Sequence, residues 1–404
     1  MKEMRARGEW ARFWPIPFIG LLGVTGPAAF AYSSGVFMEA ITGEFGWSRA
    51  QFSSAMTIQM LLGLVLGPLA GRVLDRVGPR RMLLVGIFPF TLALSSLGLA
   101  NGAAWQWWLL AALYSPLAMG LISANWIGGA TACFDKSRGL AISIVLAGIG
   151  LATAAWPAIA AWLLTTIGWR LAFPAMAWGW ALLVFPLVFF LFKPPSAPVE
   201  QAVVPQPPVL RPVLRSPTFL LLLAGGSLFS SVQLALIVHF VPVARQFGLD
   251  LTAAARLAVL IGLFSIVGRI ATGFMLDRLP TRPLAIAVFS LPLAVLVLLS
   301  TASGSLVPLM AAAALLGFAA GAEMDVVTYL ATRRFDPRIF GTIYSIFMAA
   351  IAISASLGPL LAGRMYDVSG SYQGYFIVAA GFVVAATVLV GLVPAAPRTT
   401  PQPV

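Results

Sequence analysis

Gly71-Arg72-Val73-Leu74-Asp75-Arg76-Val77-Gly78-Pro79-Arg80-Arg81 is echoed 202 residues later by Gly273-Phe274-Met275-Leu276-Asp277-Arg278, with Arg282 in the place of Arg80. The same offset joins Glu44-Phe45-Gly46 to Gln246-Phe247-Gly248, Gly139 to Gly341, Pro157 to Pro359 and Gly168 to Gly370. Any one of these pairs could be chance. A single gapless offset that holds from the first of them to the last reads as one unit used twice. Two six-helix units related in parallel, with a site near the membrane midplane between them, form a known transport architecture.

The composition requires a membrane. Of the 404 residues, 60% are hydrophobic and only 9% charged, with a mean hydropathy of +0.95. A soluble domain carries about 25% charged residues, so lipid must cover much of this chain. Turn and charge clusters divide it into twelve apolar spans, roughly 13–38, 50–70, 82–100, 106–130, 140–164, 171–192, 217–244, 253–275, 283–302, 306–330, 340–362 and 373–394. Each is long enough to cross about 30 Å of hydrocarbon as a helix. The first is too long for a secretory leader, so it reads as an uncleaved span. Residues 1–192 and 217–394 form the two halves. The Pro- and Val-rich stretch 193–216 reads as a flexible linker, and 395–404 as a disordered tail.

The net charge of +12 would suggest nucleic acid in a soluble protein. Here no soluble domain exists to host it, and the excess has a simpler source. Nineteen Lys and Arg fall on segments that face inward if the N-terminus is inside, against five (Arg49, Arg170, Arg245, Arg256, Arg364) on outward loops. That bias places both termini in the cytoplasm and the chain in the cell's inner (plasma) membrane. The single cysteine, Cys133, and the single histidine, His239, leave no disulfide, zinc or haem site. With no GxxxxGK[ST] loop, no nucleotide fingerprint in its strand–helix context and no HExxH, enzyme and ATPase readings fail. No cofactor is expected, and the chain is read as a monomer.

The segment from Gly71 to Arg81 resembles the signature loop of the major facilitator superfamily: a Gly, an Asp-Arg pair, then Gly and basic residues. The resemblance covers essentially the whole chain and implies the twelve-helix, all-α fold. It also implies a gating role for Gly71, Asp75, Arg76, Gly78 and Arg80, with Asp277 and Arg278 in the second half. A narrower resemblance is to the monocarboxylate transporters and the oxalate/formate antiporters. It rests on Gly35-Val36-Phe37 with Glu44-Phe45-Gly46-Trp47-Ser48-Arg49-Ala50-Gln51, on Pro157 with Gly168-Trp169-Arg170, and on Gly268-Arg269-Ile270. Ser48 and Gln51 have capping-box spacing for the second span. Two departures stand out. Similar symporters often carry an acidic residue one turn before the arginine, where this chain has Ser265. The antiporters carry a lysine in span eleven, and Ile343-Tyr344-Ser345-Ile346-Phe347 has none.

Ionisable groups inside apolar spans are costly and point to function. Arg269 lies eight residues before Asp277, roughly 12 Å into the membrane at 1.5 Å per residue. Its planar, permanently charged fork suits a carboxylate, so it reads either as an anion clamp or as half of an internal ion pair. Asp325 lies eight residues before Arg333 and therefore at the same depth. Glu323, two positions away, points about 200° round the helix. Asp325 or Glu323 is a candidate proton carrier, as is His239, which resembles a His before a Pro in bacterial relatives of this group. Structural pairing is the competing reading for all three. Tyr32, Asn125, Tyr329 and Tyr344 lie on spans that line the cavity in this superfamily. Each is read as a hydrogen-bonding contact to substrate or as core packing.

The expected function is secondary active transport of a small organic anion, a monocarboxylate, by proton symport or anion exchange. Efflux of an amphipathic or cationic compound is the alternative, and a non-transporting membrane sensor a more distant one.

Overall fold

The computed structural model describes residues 2–194, 210–276, 278–302, 305–332, 334–335 and 337–394, and among them no strand occurs. That is the expected outcome for a chain surrounded by lipid, where only a helix or a closed barrel satisfies every backbone group internally. A short helix α1 (Lys2–Phe13) precedes the first span. The first half then comprises α2 (Pro15–Gly23), α3 (Ala29–Phe45), α4 (Arg49–Val77), α5 (Pro79–Ser96), α6 (Ala104–Ala118), α7 (Ser123–Thr131) and α8 (Arg138–Phe190). After α9 (Leu210–Leu214), the second half comprises α10 (Pro217–Gln246), α11 (Leu251–Leu276), α12 (Thr281–Thr301), α13 (Leu306–Thr332), α14 (Pro337–Ser369) and α15 (Gln373–Gly391). Residues 195–209 of the expected linker and the whole expected tail, 395–404, lie outside the described residues.

Ten helical segments among the described residues are long and apolar enough to cross a membrane, with α6 and α7 counted together as one. The count of crossings is twelve, because α8 turns at Gly168 (φ 77°, ψ 161°) and holds two spans, while α2 and α3 are two pieces of one. The internal repeat is visible in the backbone. Gly46 and Gly248 both have positive φ (66° and 88°), as do Gly168 and Gly370 (77° and 69°). These are two pairs at the 202-residue offset, each at the end of a span. A side chain there would be strained, since the left-handed region is open to glycine.

Two expected spans are not continuous. Span one breaks at residues 24–28, where Gly26-Pro27 interrupts the ladder. Span four breaks between α6 and α7, through the 3₁₀ turn Met119–Leu121. The carbonyls freed by these breaks are taken up by side chains. The Trp180 indole N–H donates to Leu22 O at 3.1 Å, Trp156 to Thr25 O at 2.7 Å and the Tyr114 hydroxyl to Pro27 O at 3.0 Å. In span four, Trp126 donates to Leu121 O at 3.1 Å and Asn125 Nδ2 to Gly120 O at 2.6 Å.

The two halves meet along α3 with α10, α4 with α14, and α8 with α11. The last contact is backbone to backbone: a methyl group on Gly262 would lie 2.5 Å from Gly150 O. Small residues that let helices touch this closely are the usual basis of helix association in lipid.

Candidate functional site

α11 and α13 approach through Gly268 and Gly321. A methyl on Gly268 would lie 2.8 Å from Phe318 Cα, and one on Gly321 would lie 2.8 Å from Arg269 N. This close packing brings the Arg269 side chain within reach of α13, and its Nη1 meets Asp325 Oδ1 at 3.3 Å. The pair has the equal depth that the helical rise requires. It is not sealed in: the two side chains are 28% and 26% exposed. Glu323 points away from it, as its spacing demands. That carboxylate is only 5% exposed and accepts a hydrogen bond from Ser230 Oγ on α10.

Toward the face opposite the termini (the far face), Tyr32 and Thr153 of the first half line a small cavity with Val238, Ala258 and Ile261 of the second. It has room for about one water. Above it the far face is held shut by polar contacts between the halves. Glu39 on α3 pairs with Arg245 on α10 at 2.5 Å and, within its own half, with Arg49 at 3.7 Å. The Arg49 guanidinium lies 3.7 Å over the Tyr366 ring and donates to the Tyr372 hydroxyl. Asp367, at the end of α14, accepts from the backbone N–H of Arg49 at 2.8 Å and of Ala50 at 2.9 Å. It thus caps a helix of the other half, where the unpaired N–H groups and the helix dipole favour a carboxylate. Ser48 Oγ accepts from Gln51 N at 3.1 Å, the expected cap from within the same half. About two turns deeper, Thr57 Oγ1 donates to Ser356 O.

His239 belongs to this far-face network. Its Nε2 lies 3.0 Å from Pro359 O and its Nδ1 lies 2.7 Å from Tyr372 Oη. A carbonyl only accepts, so Nε2 carries the hydrogen, and in the neutral ring Nδ1 accepts from the tyrosine. His239 is therefore far from the Arg269–Asp325 pair and joined to Arg49 through Tyr372.

Asn125 is fully buried and its amide braces the break in span four. Tyr329 on α13 and Tyr344 on α14 are half-buried. None of these three is among the residues that line the Tyr32 cavity. Of the loop residues, Gly71, Asp75 and Arg76 lie in the last turns of α4, with the side chain of Asp75 outside the described set and that of Arg76 exposed. Gly78 ends the helix with φ 80°, and Arg80 Nη2 donates to Phe189 O at 2.7 Å. The Arg278 guanidinium lies 3.4 Å over the Phe274 ring, and Asp277 lies outside the described residues. Near the same face, Glu9 of α1 accepts from the backbone N–H of Lys136 at 3.1 Å, of Ser137 at 3.2 Å and of Asp135 at 3.3 Å. These bonds, the one from Lys136 foremost, hold its carboxyl below the usual carboxylate range.

The far-face network is what sequence reasoning missed. Arg49 and Arg245 were visible as rare outward cations, and the acids near span ends, Glu39 and Asp367, could have been matched to them.

Comparison with known proteins agrees with this architecture. A family profile described as Major Facilitator Superfamily matches residues 21–307 and 284–404. Monocarboxylate transporter 13 of Bos taurus is 26% identical over 401 residues, covering 92% of this chain and 88% of that protein. The 3-(3-hydroxy-phenyl)propionate transporter of Escherichia coli (strain K12) is 27% identical over 341 residues, 80% of each chain. The crystal structure of the D-xylose-proton symporter superposes with a TM-score of 0.75 at 16% identity, covering 95% of this chain and 97% of that one. The chain is a multi-pass membrane protein of the transporter type, and it belongs to the major facilitator superfamily.

Proposed function

We propose that the protein is a secondary active transporter of a small monocarboxylate, coupled to protons, with Arg269 as the anion clamp. The observation that carries this reading is the Arg269–Asp325 pair: mid-depth, on tightly packed helices, and more than a quarter exposed. A purely structural pair would be expected to lie fully enclosed, because solvent weakens the attraction. A substrate carboxylate entering from the terminus side competes with Asp325 for the guanidinium fork. Asp325, once released, is free to take a proton, so anion and proton load together. The inter-half contacts named above lie at the far face or the middle, so the arrangement described is closed at the far face. With both termini in the cytoplasm, as the Lys and Arg bias indicates, this is the inward-facing state. Transport then follows from rocking residues 1–192 against 217–394 around the pair.

The burial of Glu323 weighs against the efflux reading, in which both acids would face the cavity to hold a cation. The similarity to transporters whose names include a monocarboxylate and a phenylpropionate supports an anionic cargo. The test is uptake of radiolabelled short-chain and aryl carboxylates into proteoliposomes under a pH gradient. Carboxylate accumulation that depends on the gradient is expected, and transport of amines with none of carboxylates would overturn the reading.

A further inference from the structure

On the side of α13 away from Arg269, α10 contributes Ser230 and Gln233, one turn apart and exposed by only 6% and 4%. Gln233 Nε2 donates to Leu316 O on α13 at 2.8 Å. That fixes the amide with its oxygen free, and Gln233 Oε1 finds no donor among the described residues. Glu323, 5% exposed, has one hydrogen bond among them, from Ser230 Oγ. A carboxylate and an amide oxygen thus share one dry helix interface with a single hydroxyl hydrogen to serve them. Buried acceptors left in this way are expensive, and a bare carboxylate more so. The helices packed on α13 (α10, α11, α12 and α14) bring no cation to it among the described residues. Arg269 on α11 is held by Asp325. His239, nine residues along α10, is held at the far face by Tyr372 and Pro359.

We propose that Glu323, Gln233 and Ser230 form a binding site for one monovalent cation, either a proton or Na⁺, separate from the anion site at Arg269. One positive charge satisfies the deficit: a proton on Glu323 supplies the missing donor, and Na⁺ accepts all three oxygens as hard ligands. The site does not depend on the identity of the transported anion, because it faces α10 and not the Arg269 side of α13.

The test uses the full-length purified protein and reads thermal stability in NaCl against choline chloride, at several values between pH 6 and 8.5, for wild type and Glu323→Gln. Stabilisation by Na⁺ of about 2–4 °C, absent in Glu323→Gln, assigns the site to sodium. A comparable rise on acidification without a Na⁺ effect, again absent in the variant, assigns it to the proton. If neither shift occurs, or if Glu323→Gln keeps the same shift, the proposal is overturned. Should Glu323→Gln fail to fold, wild type is treated with dicyclohexylcarbodiimide and digested for mass spectrometry. Labelling of Glu323 that rises on acidification or falls with Na⁺ supports the site, whereas labelling insensitive to both, or none, overturns it.

Discussion

The two halves solve one problem in two ways. At the 202-residue offset, the break at 24–28 in span one corresponds to 226–230 of α10, and the turn Met119–Leu121 in span four to Gly321–Glu323 of α13. In the first half the backbone opens at these places, and indole, amide and phenol donors from α6, α7 and α8 occupy the freed carbonyls. In the second half both helices run through, and the same depth carries Ser230 and Glu323 instead. His239 extends the contrast, since its counterpart is Phe37, whose ring packs tilted against Phe173 with centroids 4.6 Å apart. The buried polar investment of the first half goes into holding a bent backbone, and that of the second into ionisable side chains. The difference separates a half that bends its backbone at mid-span from a half that keeps its helices straight there and carries ionisable groups.

Four measurements can break or sharpen this division. The largest effect belongs to Arg269→Lys, which keeps the charge and loses the two-pronged geometry. Both accumulation and exchange should fall by at least about tenfold with the melting temperature little changed. Full activity would remove the chemistry from the second half. Asp325→Asn comes next and should separate two activities in the same proteoliposomes. Uptake driven by a pH gradient disappears while counterflow survives in part, because exchange needs no net proton movement. If the variant accumulates substrate as wild type does, coupling lies elsewhere, with Glu323 or His239. Trp156→Phe should show the opposite profile. Losing the donor to Thr25 O leaves a buried carbonyl unpaired and costs about 1–3 kcal/mol of stability, with transport at low temperature within about threefold of wild type. Lost transport at unchanged stability would mean that the break itself takes part in the chemistry.

The smallest effect belongs to Glu9→Ala. The carboxyl of Glu9 is held below its ordinary 4.5 by the backbone N–H groups of 135–137. A lowered native value means the contribution is present above 4.5 and is lost as pH falls through that value and on through the native one. Wild type should therefore lose a slight margin of thermal stability in acid that Glu9→Ala lacks at every pH. A variant with an unchanged acid profile would show that α1 is not held by this residue.

How legible each part was follows from the range of the forces involved. Crossing number, duplication and charge bias are properties of long windows, and they can be read without knowing which helix touches which. The Arg269–Asp325 pair was half legible: the rise of a helix gives equal depth, but only the glycine contact between α11 and α13 gives proximity. Both breaks have a local sign, Gly26-Pro27 in span one and Pro116 with Gly120 in span four, but that Asn125 and Trp126 fold back to hold the second is not written along the chain. The far-face network joins positions as distant as Arg49 and Tyr372, and no pattern along the chain announces such pairs. The span of Asn125 leaves it open between a substrate contact and core packing, and nothing along the chain announces its bond to Gly120 O. Which side of a span a residue occupies, and whether its backbone is intact, are decided by neighbours.

The cap that Asp367 places on α4 makes the amide hydrogens of Arg49 and Ala50 a natural isotopic clock. In the closed state a carboxylate of the other half shields them; once the halves part there, they have no partner of their own. Deuterium uptake by a peptide spanning 47–52 then counts far-face openings in unlabelled protein. The Gln51 amide, capped by Ser48 of its own half, stays protected throughout and serves as the reference.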